Sequence, residues 1–176
     1  LEIVEGGAKP SGRIPDPRKD DWRTMKTFSA TLDEQGLPLF RGVIWYQGEA
    51  NESVSRAPLY GRLFQAMIRD WRRAWAIGDF PFLFVQLASF SAPRGAWPEL
   101  REGQREALAL RNTAMAVTID IGTPDNIHPP DKKTVGMRLS LAARAAAYGE
   151  KIEYSGPLLR EVTQEPGALR VWLDHA

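Results

Sequence analysis

Apolar residues gather into short unbroken runs at three places along the chain: Gly42-Val-Ile-Trp-Tyr46, Phe82-Leu-Phe-Val-Gln-Leu87 and Met115-Ala-Val-Thr-Ile119. A strand with one wet face alternates apolar and polar residues, whereas an unbroken run predicts a strand buried on both faces. Between the runs the period lengthens. Leu59, Leu63, Met67, Trp71 and Trp75 recur every fourth residue, with Phe64 and Ile68 beside them, which predicts an amphipathic helix ending near Gly78. Ser53 to Arg56 offers caps for its start, and Pro58 suits a first turn. A loop with Pro93, Gly95 and Pro98 leads to a second helix, from about Glu99 to Leu110. A long loop with Pro124, Pro129 and Pro130 leads to a third, from about Lys133 to Tyr148, with Val135, Leu139, Ala142, Ala143 and Ala146 on one face.

Strand and helix therefore alternate, the pattern of an α/β fold with a parallel sheet covered on both sides. In such sheets the sites form in loops at the carboxyl ends of the strands. Three regions are expected. Residues 1–40 read as an irregular approach segment, broken early by Pro10, Pro15 and Pro17. Residues 41–150 carry the α/β pattern. Residues 151–176 read as a linker and the start of a β-rich domain, since Ala168 to His175 alternates like a strand. The first residue is Leu1 and no signal-peptide pattern opens the chain, so a larger parent protein is expected. A parallel sheet cut in this way would leave backbone edges unpaired, which predicts completion by the rest of the protein or by a second chain.

Two segments fall in the loops where chemistry is expected. Asp125-Asn-Ile-His128 follows the third strand, and His128 is one of two histidines in 176 residues. Ester hydrolysis by a serine needs an imidazole to take the hydroxyl proton and a carboxylate to hold that imidazole's tautomer. Asp-x-x-His is common by chance, and for the pair alone a surface histidine beside a turn aspartate is the simpler reading. Gln47-Gly-Glu49 follows the first strand. The Gln47 amide can donate to a developing oxyanion, and Gly48 allows a close backbone approach. Glu49 reads as a structural carboxylate that accepts backbone hydrogen bonds. Trp45, Trp71 and Trp75 read as core by their spacing. Trp97, in a loop rich in proline and glycine, is the candidate for a substrate wall. His175 lies at the end of the chain and carries no assigned chemistry.

Composition narrows the classes. The formal charge of +1 draws the chain neither to nucleic acid nor to an anionic membrane. With no cysteine there are no disulfides, thiol nucleophiles or thiolate metal sites. Asp120, Asp125, His128 and Asp131 lie near one another in sequence but match no metal-ligand spacing. No stretch is long enough to span a bilayer, and there is no phosphate-binding loop or dinucleotide fingerprint.

Several segments, in order, resemble the sialate O-acetylesterase family of SGNH hydrolases, which are carbohydrate acetylesterases. They are Gly42-Val-Ile-Trp-Tyr-Gln-Gly-Glu-Ala-Asn51, Asp70-Trp-Arg72, Gly78 to Ala88, Met115 to Gly122, Asp125-Asn-Ile-His-Pro129 and Tyr154-Ser-Gly-Pro157. Taken together they outweigh the surface-loop reading of Asp125 and His128. The resemblance implies a three-layer flavodoxin-like α/β fold, incomplete in this chain, and hydrolysis of O-acetyl esters on sialic acid or related sugars through an acyl-enzyme. It implies His128 as general base, Asp125 as its orienting partner and Gln47 as an oxyanion donor, with no cofactor. It also favours a periplasmic or secreted bacterial protein. The family's nucleophile sits in a Gly-Gln-Ser-Asn-Met-like segment that does not occur here, so the attacking serine is expected outside this chain. The Asn-Gly-Met-Ile-like stretch of relatives is replaced by Phe28 to Pro38. The expected partners are an acetylated carbohydrate and the polypeptide supplying the serine. A non-catalytic carbohydrate-binding or scaffold module is the alternative, and a metal-dependent phosphoesterase a third reading that the ligand set fits poorly.

Overall fold

The structure, a computed structural model, describes residues 41–91 and 95–176. The approach segment 1–40, including Phe28 to Pro38, and Pro93 lie outside the described residues. Strands β1 (Val43–Trp45), β2 (Phe82–Val85) and β3 (Thr113–Ala116) form a parallel sheet in the order β1-β2-β3. Its register pairs Ile44 with Leu83 and Phe84 with Met115. Helices α1 (Ala57–Trp75), α2 (Trp97–Arg105) and α3 (Lys132–Ala146) connect or follow the strands. A hairpin of β4 (Leu158–Glu165) and β5 (Ala168–Asp174) ends the chain.

Successive side chains of a strand point to opposite faces, and β2 uses both. Phe82 and Phe84 enter a core with Tyr60, Phe64, Ile68, Trp97 and Leu100 from α1 and α2. Leu83 and Val85 enter a second core with Val135, Leu139, Ala142 and Ala143 from α3. The result is three layers, with every β2 residue buried. Full burial of each phenylalanine contributes about 1.5–3 kcal/mol. Edge-on aromatic contacts such as Phe64–Phe84 (5.1 Å) and Trp45–Trp71 (5.8 Å) add to that.

Two expectations change here. β1 is not buried on both faces. It is one of the two sheet edges among the described residues, β3 being the other, and Ile44 is 41% exposed. In α1, Leu59 and Leu63 are 45% and 59% exposed, while Tyr60, Phe64 and Ile68 are buried. A four-residue step overshoots the helical turn by about 40°, so the row from Leu59 to Trp75 spirals from solvent toward the core.

Helices α1 and α2 touch through glycines. A Cβ on Gly103 would lie 2.9 Å from the Gly61 backbone nitrogen, so these positions allow the helices to meet backbone to backbone. In the hairpin, Trp172 lies beneath the guanidinium groups of Arg160 and Arg170. The opposite face exposes Leu159, Val162, Leu169, Val171 and Leu173.

Candidate active site at the carboxyl edge of the sheet

Three loops leave the carboxyl ends of adjacent parallel strands, and hydrogen bonds tie them together. The loop after β1 turns at Gly48, whose φ of 156° is rarely adopted by other residues, and a Cβ there would lie 2.9 Å from Leu87 Cδ1, which would have to shift. Glu49–Asn51 then forms one turn of 3-10 helix. Gln104 of α2, 1% exposed, joins this loop to β2. Its Nε2 donates to the carbonyls of Gln47 (3.0 Å) and Val85 (3.3 Å), and its Oε1 accepts from the Leu87 N–H (2.8 Å). The loops after β2 and β3 are locked as tightly. Thr118 Oγ1 donates to the Gln86 carbonyl (2.5 Å), Ser89 Oγ to the Ile119 carbonyl, and the Ser91 N–H to the Pro124 carbonyl (2.9 Å). Beneath them Arg138 of α3 grips both Asp120 oxygens (2.6 Å each) and the Val117 carbonyl (2.7 Å). That contact holds the Asp120 carboxyl below the usual carboxylate range.

Gln47 is half-buried and held at both ends. Its Nε2 donates to Asn51 Oδ1 (2.8 Å), and the Tyr60 hydroxyl lies 3.2 Å from its Oε1 and 3.0 Å from its carbonyl oxygen. Burial, with a smaller contribution from the Glu49 charge, pushes the Tyr60 phenol up, so it stays protonated and able to donate. Glu49 makes no hydrogen bond through its carboxylate among the described residues. The structural part expected of it belongs to Glu52, buried three residues on, whose Oε1 accepts the Ala96 N–H (3.3 Å).

Asp125 and His128 sit together in the loop after β3, and both are exposed. No hydrogen bond joins the Asp125 carboxylate to the His128 ring. The loop is closed instead by Asn126, whose Oδ1 accepts the His128 N–H (2.9 Å). Trp97 is not a loop residue. It opens α2, is 4% exposed, donates from Nε1 to the Ala88 carbonyl (2.7 Å) and packs against Phe90. As placed, it is core rather than a surface for a sugar. Sequence reading missed Gln104 and Tyr60. For Gln104 a signal existed: Trp97, Leu100 and Gln104 recur at helical spacing, so the glutamine falls on the buried stripe.

Loops converging over the carboxyl edge of a three-layer parallel sheet are the arrangement in which α/β proteins place their sites. A carbohydrate acetylesterase from Xanthomonas citri superposes with a TM-score of 0.74 at 46% identity, over 77% of this chain and 32% of that one. A protein from Arabidopsis thaliana superposes with a TM-score of 0.50 at 28% identity, over 62% of this chain and 44% of that one. Residues 21–147 match the family of sialic acid-specific acetylesterases among the carbohydrate esterases, and the chain belongs to that family. Sialate O-acetylesterase of Mus musculus is 41% identical over 174 residues, 87% of this chain and 31% of that protein. Its Homo sapiens counterpart is 38% identical over 143 residues, 69% of this chain and 27% of that protein. The chain thus spans under a third of the length of these curated relatives.

Proposed function

We propose that the protein containing this chain hydrolyses O-acetyl esters of sialic acid or related acetylated sugars by a serine, histidine and aspartate mechanism of the SGNH type. The observation that carries this reading is the convergence of the Gln47 loop and the Asp125–His128 loop over one edge of the sheet, tied through Gln104 and the loop after β2. The outer edge of β1 is unpaired among the described residues. A parallel strand added there would end beside Gln47, the place from which a serine outside this chain would be delivered. His128 takes the proton of that serine as its oxygen bonds to the acetyl carbonyl carbon. The carbonyl oxygen gains the charge, which the second Nε2 hydrogen of Gln47 meets. Collapse breaks the bond to the sugar oxygen, which receives the proton from His128. Water then repeats the sequence on the acyl-enzyme, releasing acetate. Asp125 orients the imidazole. In free enzymes catalytic hydrogen bonds of this kind are often open and close on the substrate. Residues 41–150 belong to the esterase domain in this reading, and the hairpin begins a β-rich region.

The test is hydrolysis of p-nitrophenyl acetate and of an O-acetylated sialic acid by the full-length protein. His128→Ala is expected to lower turnover by about 10³-fold or more. Unchanged turnover would refute the assignment. The open Asp125–His128 contact is also what a non-catalytic carbohydrate-binding module would have, and full-length protein without esterase activity on either ester would favour that reading.

A further inference from the structure

Gln47 is held by more than its place at the end of β1. The one Tyr60 hydroxyl proton lies within reach of two oxygens of this residue, the carbonyl at 3.0 Å and Oε1 at 3.2 Å, and is shared between them. Gln104 Nε2 donates to the same carbonyl at 3.0 Å. On the far side Asn51 Oδ1 accepts from Gln47 Nε2 at 2.8 Å. The amide therefore has a defined polarity. Turning it by half a revolution would take the acceptor away from the Tyr60 proton, and would set Oε1 against Asn51 Oδ1 unless the Asn51 amide turned with it. Tyr60 and Gln104 are both buried, Tyr60 in the core face of α1 and Gln104 in α2, and the two helices are docked through Gly61 and Gly103. Neither residue is close in sequence to the loop it holds.

We infer that Tyr60 and Gln104 are positioning residues for the oxyanion donor: Tyr60 sets which end of the Gln47 amide faces the reacting carbonyl, and Gln104 sets the height of its backbone against β2. This rests on the reading of Gln47 as that donor. An N–H aimed at the oxyanion stabilises the transition state, whereas a flipped amide presents an oxygen and repels it. The packing of the two helices thereby reaches the chemistry without either residue touching substrate. Burial keeps the Tyr60 phenol protonated, so its donation persists through the pH range in which a histidine base works.

The experiment is a double-mutant cycle on the full-length protein, with kcat and KM for p-nitrophenyl acetate and a melting temperature for each variant. Tyr60→Phe keeps the ring against Phe64, 5.6 Å away, and removes only the hydroxyl. It is expected to lower kcat about fivefold to tenfold with KM changed less than about twofold. Gln47→Ala is expected to lower kcat about 10²-fold. In the Gln47→Ala background, Tyr60→Phe is expected to change kcat by less than about twofold, since the amide it positions is gone. Gln104→Met should follow the same pattern. If Gln47→Ala lowers kcat but Tyr60→Phe costs equally in both backgrounds, the donor stands and the positioning role is overturned. If Gln47→Ala leaves kcat unchanged, the donor reading falls and this inference with it.

Discussion

Gly122 offers a direct test of how tightly the site loops are coupled. Its backbone angles, φ −80° and ψ 167°, are open to any residue, so conformation does not require glycine there. Space does. A Cβ on Gly122 would collide with the backbone N and O of Ser89 and would lie 2.8 Å from its Cα. Ordinary contact begins at 3.4 Å, so that atom pair alone forces the two loops apart by about 0.6 Å, and the N and O contacts are tighter still. These are backbone atoms inside a segment pinned by the Ser89, Ser91 and Thr118 hydrogen bonds, and they cannot rotate away. Overpacking of this kind costs about 1–3 kcal/mol, or roughly 3–10 °C in melting temperature. The displacement is passed on to Asp125, three residues along. A misplacement near 1 Å at reacting groups costs about 10²-fold, so under the roles proposed for Asp125 and His128 Gly122→Ala is expected to lower kcat/KM for p-nitrophenyl acetate at least tenfold. The assay pairs initial rates with thermal melting followed by circular dichroism. Wild-type rate together with wild-type melting temperature would refute the reasoning.

Two further outcomes follow from the same packing. Gly136 lies in α3 with open space around its Cα, so Gly136→Ala should raise the melting temperature by a few degrees, from a helix-propensity gain of up to about 1 kcal/mol, and leave the rate unchanged. Arg138→Met removes the grip on Asp120. Because that grip lowers the folded-state pKa of Asp120 below its ordinary 3.8, its stabilisation is present above that value and is lost as pH falls through the folded one. The gap in denaturation midpoint between wild type and Arg138→Met should therefore hold from pH 7 to about pH 5 and narrow below about pH 4. A residue of the gap should remain, because Arg138 also holds the Val117 carbonyl. A gap independent of pH would contradict the ion-pair assignment.

Much of the frame is legible in the chain because it depends on local repetition. The unbroken run at Phe82–Val85 marks a strand buried on both faces, and Val135, Leu139, Ala142 and Ala143 mark the buried stripe of α3. The order of strands and helices then places Gln47 and Asp125–His128 in loops at one edge of the sheet. What periodicity cannot carry is which neighbour lies across a gap. Only the tertiary structure decides that β1 is an edge, that Trp97 enters the core, and that Glu52 rather than Glu49 meets a backbone N–H. It alone brings Tyr60 and Gln104 to Gln47, 13 and 57 residues away in sequence, and sets Gly122 against Ser89. Strand and helix periods report the direction of a side chain from its own axis, whereas hydrogen-bond partners and excluded volume depend on how separate axes are docked. In this chain the frame of the site follows from the first, and the setting of its groups follows from the second.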